Sequence, residues 1–160
     1  MKLAGSLFAM LITLNSYAAE PHRACVPSAR LAIGGISLSD SRATVLGKLG
    51  KPKATGSYQG EDDGGSYTGA TLTYSQVELE IDQLRGIERI SSIGPGAMLP
   101  LGLKVGLSLE KTGELLHFIP GSLEKGMVVL PVCGGYRDIE LRLHFESDKL
   151  TVVEIAEHGP

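Results

Sequence analysis

Tryptophan is absent from the 160 residues, and phenylalanine and tyrosine together make up only 5% of them. A core must therefore be built from Leu, Ile and Val. A basic excess is also missing: the formal charge is −3, which removes the electrostatic footprint of a nucleic-acid binder. Beyond the first residues, no apolar run is long enough to cross a bilayer. No serine sits in Gly-x-Ser-x-Gly, and no glycine-rich stretch is followed by Lys-Ser/Thr at the head of a helix. The two cysteines are too few for a structural zinc site. Of the four histidines, His22 and His158 lie near the termini, His117 flanks an apolar helical stripe, and His144 alternates with charges along a strand. None has a nucleophile and an orienting partner in view. These absences point away from an enzyme, and neither a metal nor a cofactor is expected.

What is present begins with a leader. Lys2, the apolar run Leu3–Leu14 and the small residues around Ser16-Tyr17-Ala18 read as a secretory signal over 1–19. A periplasmic or secreted bacterial protein is the expectation. Outside a reducing cytosol, two cysteines favour a single bridge, Cys25–Cys133.

Residues 31–38, LAIGGISL, and 103–109, LKVGLSL, say nearly the same thing. Each precedes a short helical pattern. Ser39 or Asp40 is positioned to cap the first, whose stripe is Val45, Leu46 and Leu49, with Gly50 and Pro52 as the stop. Ser108 caps the second, with Leu115, Leu116 and Ile119 as the stripe and Pro120-Gly121 as the end. Strands follow both. ATLTYSQVELEID alternates as a hairpin, with Ala70, Leu72, Tyr74, Val77, Leu79 and Ile81 on the dry face and Glu78, Glu80 and Asp82 opposite. GIERISSI is a third, weaker strand. MVVLPVC, IELRLHF and LTVVEIA form the second set, with Ser147-Asp148 as a turn. IGPGAMLPLG is the junction. The expected organisation is an extension over 20–30, an α-β-β-β unit over 31–93, a linker over 94–102 and a second unit over 103–160. The fold class is α+β: two α-β-β-β repeats in one continuous antiparallel sheet, with short helices on one face.

GISLSDSRATVLGKLGKP, residues 35–52, resembles the opening of small secreted bacterial α/β proteins in which a Gly-x-Ser/Thr step leads into a helix ending Leu-Gly-x-Pro. The group includes the small lipoprotein of the outer-membrane β-barrel assembly machine. In tandem form it is similar to β-lactamase inhibitory protein. That resemblance implies an antiparallel sheet that binds proteins through its open face and hairpin loops. It also implies that residues 60–67, with Asp62, Asp63 and Tyr67, enter a target enzyme.

GSYQGEDDGGSYTG, residues 56–69, is where the chain spends two of its five tyrosines. Two readings stand: a hairpin tip kept soluble by acid, or a recognition loop. Tyrosine gives large contact area at low entropy cost, and Gly and Ser let the backbone adapt. On the second reading Tyr58, Glu61, Asp62, Asp63, Ser66 and Tyr67 contact a protein partner, the acids complementing a basic cleft. Calcium takes oxygen ligands in flexible loops, but EDDGG lacks the twelve-residue spacing and the closing glutamate. The expected function is an inhibitor or immunity protein blocking a cell-wall or envelope hydrolase. The alternative is a non-enzymatic accessory of envelope assembly that binds through the open sheet face.

Overall fold

The structure, a computed structural model, describes residues 25–62, 64–118, 123–134 and 138–157. The leader, His22, Asp63, Ile119, Pro120-Gly121 and His158 lie outside these, as does the side chain of Asp62. The described chain contains two helices and one eight-stranded sheet. Strands β1 (Val26–Pro27), β2 (Ala54–Asp62), β3 (Gly65–Thr73), β4 (Val77–Asp82) and β5 (Gly86–Ser92) come first, with helix α1 (Arg42–Leu49) between β1 and β2. Helix α2 (Leu109–Leu116), β6 (Met127–Cys133), β7 (Ile139–Glu146) and β8 (Lys149–Glu157) follow. The spatial order is β1-β6-β7-β8-β5-β4-β3-β2.

All pairings are antiparallel except that of β1 with β6, so the sheet is mixed. β1 lies beside β6 where Cys25 and Cys133 are bridged, their Cα atoms 5.5 Å apart. The expectation of two equivalent three-stranded units differs from the structure in one further place. α1 is followed by four strands and α2 by three, because ATGSYQGED pairs along its whole length with β3. Its high glycine content and short apolar supply hid that strand.

Period-2 alternation builds the core. Leu72, Leu79, Ile90, Ile155, Leu141 and Leu130 stand opposite one another across β3, β4, β5, β8, β7 and β6, making one apolar row over six strands, all buried. Ile33, Ile36, Val45, Leu103 and Leu116 pack into the same cluster from outside the sheet. The opposite face is polar, and no described element covers it. The halves meet at the β5–β8 seam, which pairs Arg89 with Ala156, Ile90 with Ile155 and Ser91 with Glu154. Ser92 lengthens the seam: its buried Oγ accepts from the Val153 N–H at 2.8 Å.

The helices are two turns each and differ in detail from the sequence reading. Ser41, not Ser39 or Asp40, caps α1 by accepting from the Thr44 N–H. Asp40 instead accepts from the Ser37 N–H and pairs with Lys48, and those contacts hold its carboxyl below the usual range. Val45 faces the core while Leu46 is 43% exposed, because eight residues present only a narrow inner stripe. In α2 Ser108 is the cap as expected. Leu116, Thr112 and Gly113 are inside and Leu115 is exposed. His117 adopts a left-handed conformation, φ 57°, and ends the helix one residue after Leu116. Gly50 closes α1 at φ 75°, a conformation that favours glycine. Ser147 and Asp148, both at positive φ, form the two-residue turn between β7 and β8.

Candidate functional site

The two Gly-Ser-Tyr-x-Gly copies face each other across β2 and β3. Tyr58 pairs with Gly69 and Tyr67 with Gly60, so the tyrosine of each strand lies over the glycine of the other. A Cβ on Gly69 would stand 2.3–2.5 Å from the Tyr58 ring atoms and its hydroxyl. One on Gly60 would meet the Tyr67 ring just as closely. The repeated Tyr-x-Gly is thus a steric device: each glycine opens the floor on which a ring lies. The rings sit edge to face, with centroids 6.4 Å apart, an arrangement their quadrupoles favour.

Both tyrosines project from the same sheet face as Thr71 and Thr73, the polar one. There Glu88 receives them. Its Oε2 accepts from the Tyr58 hydroxyl at 2.6 Å and from the Tyr67 hydroxyl at 2.9 Å. Glu88 reaches that face through a β-bulge. Glu80 pairs with Arg89 but Ile81 pairs with Ile87, which leaves Glu88 as the extra residue. Ile87 and Ile90, three apart, are consequently both buried, and Glu88 and Arg89 are turned outward together.

Arg85 completes the corner. Asp82 Oδ1 accepts from the Leu84 and Arg85 N–H groups at 2.7 and 2.8 Å. This local turn sets the Arg85 guanidinium 4.2 Å from the centre of the Tyr67 ring and 3.7 Å from Glu88 Oε1. Burial, then the Glu88 carboxylate, push the Tyr67 hydroxyl up to about 12 and raise that of Tyr58 as well. Both phenols therefore stay protonated as donors. Leu84, 97% exposed, stands at the tip of the turn beside Arg85.

From this corner a chain of ion pairs runs across four strands: Glu80 to Arg89, Arg89 to Glu154 at 3.6 Å, Glu154 to Arg142 at 3.0 Å, and Arg142 to Glu140 at 3.0 Å. Ser91 donates to Glu154 and Thr73 to Glu78. Glu154 is only 7% exposed although it lies on the uncovered face. Burial raises the Glu80 carboxyl despite Arg89. Burial opposes the charge of Arg142, but Glu140 and Glu154 outweigh it and raise the guanidinium. Of the charges that alternate with His144 along β7, Glu140 and Arg142 thus belong to a partly buried, alternating-sign network, and His144 Nε2 is itself buried without a partner among the described residues.

Of the sequence-derived site residues, Tyr58 and Tyr67 are brought together in strands, half-buried on the sheet face. Glu61 and Ser66 pair at the exposed hairpin end, away from Glu88. Asp63 and the Asp62 side chain lie outside the described residues. Sequence reasoning missed Glu88, Arg85 and the network. The readable signal was Ile87-Glu88-Arg89-Ile90: apolar residues three apart within a strand mark a bulge. No group of three or more metal-ligating side chains occurs among the described residues. No family model matches the chain, and no match was found among curated proteins or solved structures.

Proposed function

We propose that this chain is an exported, non-enzymatic protein-binding module, and that its most concrete role is to block a cell-wall or envelope hydrolase as an inhibitor or immunity protein. The observation that carries this reading is the corner of Tyr58, Tyr67, Glu88 and Arg85 on an uncovered sheet face. Tyrosine and arginine are the side chains enriched at binding hot spots. Here their conformations are already held by hydrogen bonds and stacking, so less side-chain entropy is lost when a partner docks. The binding surface on this reading is the sheet face at the hairpin root, with the acidic tip steering encounter. The bridged cysteines and the lack of any helix long and apolar enough to cross a membrane among the described residues accord with an exported domain.

The test is inhibition of cell-wall hydrolysis by envelope extract on addition of purified protein. Wild type should slow hydrolysis. Tyr67→Ala, checked for folding by circular dichroism, should need about thirtyfold more protein, the scale of a 2 kcal/mol hot spot. Asparagine at Asp62 and Asp63 with Gln at Glu61 should mainly slow association. Hydrolysis unaffected by folded wild-type protein sinks the inhibitor reading.

The second reading, an accessory of envelope assembly, is favoured by the width of the ion-pair network, which spans β4, β5, β8 and β7. It expects loss of partner binding with Glu140→Lys while Tyr67→Ala still binds.

A further inference from the structure

The sheet has two ends of different character. One is β1, two residues long, containing Pro27 and fastened by the disulfide. The other is β2, nine residues in unbroken register with β3 and with no strand on its outer side among the described residues. A nine-residue strand presents about 30 Å of edge, on which alternate residues offer unpaired N–H and C=O groups. Natural edges are usually blunted by proline, inward charge, a bulge or shortness. β2 reads ATGSYQGED, with no proline, no lysine and no bulge.

What the edge does carry is opposite charge at opposite ends. Lys53 immediately precedes β2 and Glu61 lies near its end; both are exposed, and neither has an ion pair among the described residues. Such a strand is complementary to itself run backwards.

We propose that β2 is an isologous dimerisation edge, pairing antiparallel with β2 of a second copy so that one sheet runs through both. Elementary geometry chooses the register. In an antiparallel pair, opposed residues share a face, so the two-fold axis passes through a residue position and not between residues. Ser57 lies midway between Lys53 and Glu61. An axis through Ser57 therefore brings each Lys53, at the bend before β2 where its N–H donates to the Thr73 carbonyl, beside the end of the strand that carries Glu61 of the other copy, twice by symmetry. An axis through Gly56 would set Lys53 opposite neutral Gln59, and one through Tyr58 would set it against Asp63, beyond the end of β2. The Ser57 register also sets each Tyr58 opposite Gly56 of the other copy, where a glycine leaves room beside the ring that Glu88 already holds over Gly69.

The experiment is sedimentation velocity on the disulfide-bonded protein over about 1 μM to 1 mM, where mass action exposes a weak dimer. Wild type should dimerise. Lys53→Glu and Glu61→Lys should each raise the dimer dissociation constant at least about tenfold, since each puts two like-charged pairs face to face. Combining them restores opposite charge and should bring the constant back to within about threefold of wild type. Lys53→Gln provides a milder loss should the reversal disturb folding. Ser57→Cys should form an intermolecular disulfide across the axis, mapped by peptide mass spectrometry, because opposed Cα atoms in such a pair lie about 4.5–5.5 Å apart. A monomer at every concentration overturns the proposal. So does a dimer indifferent to Lys53→Glu, or one that the double reversal fails to restore. Hydrolase inhibition is read separately, so either proposal can fail without the other.

Discussion

Replacing Gly69 by alanine tests the steric device directly. Gly69 is buried, and its backbone requires no left-handed conformation. On propensity alone, alanine in a strand should stabilise by about 0.5–1 kcal/mol. The new Cβ, however, would lie 2.3 Å from Tyr58 Cε1 and 2.5 Å from its hydroxyl oxygen. The ring must swing away, and the 2.6 Å hydrogen bond to Glu88 goes with it. A hydrogen bond to a charged group contributes about 1.5–3 kcal/mol, and the lost ring packing adds about 0.5–1.5. Because Tyr58 is only half-buried, the low end of that range applies, near 2–3 kcal/mol in all. Gly69→Ala should therefore destabilise by about 1–2 kcal/mol net. With Tyr58→Ala already in place the clash has no partner, and the same substitution should stabilise by about 0.5–1 kcal/mol. The assay is urea unfolding of wild type, both single variants and the double, with the coupling energy taken from the cycle. A Gly69→Ala effect of the same sign and size in both backgrounds would refute the reasoning, and Gly69 would then be needed for some reason other than Tyr58.

Three other outcomes are expected. Tyr67 should ionise near pH 12 in the folded protein, as read by ultraviolet absorbance. Its folded value lies above the ordinary one of about 10, so its contribution to stability is whole below that pH and is lost as pH rises toward 12. Ser92→Ala removes the acceptor for the buried Val153 N–H and should cost about 1–3 kcal/mol in urea unfolding. Replacing Cys25 and Cys133 by serine opens a link between residues 108 apart and should cost about 2–5 kcal/mol, while titration of denatured, unreduced wild type should find no free thiol.

Much of the sheet was legible because half-buried antiparallel strands print their period on the sequence. Alternation assigns Ala70, Leu72, Tyr74, Val77, Leu79 and Ile81 to the dry face, and all but partly exposed Ala70 are buried there. Ser108 and Ser147-Asp148 were readable because capping and tight turns depend on local chemistry. The single cysteine pair left one pairing to consider. Tertiary structure decided the rest. β2 carries almost no apolar residues, so its pairing was invisible until β3 stood beside it. α1 buries Val45 rather than Leu46 because its seating on the sheet, not its own periodicity, chooses the inward side chain. The site needed the most. Tyr58, Tyr67 and Glu88 lie on three different strands, and only the hairpin register together with a one-residue bulge brings two hydroxyls onto one carboxylate oxygen. Residue type is written locally, but convergence from 21 and 30 residues away is a property of strand order.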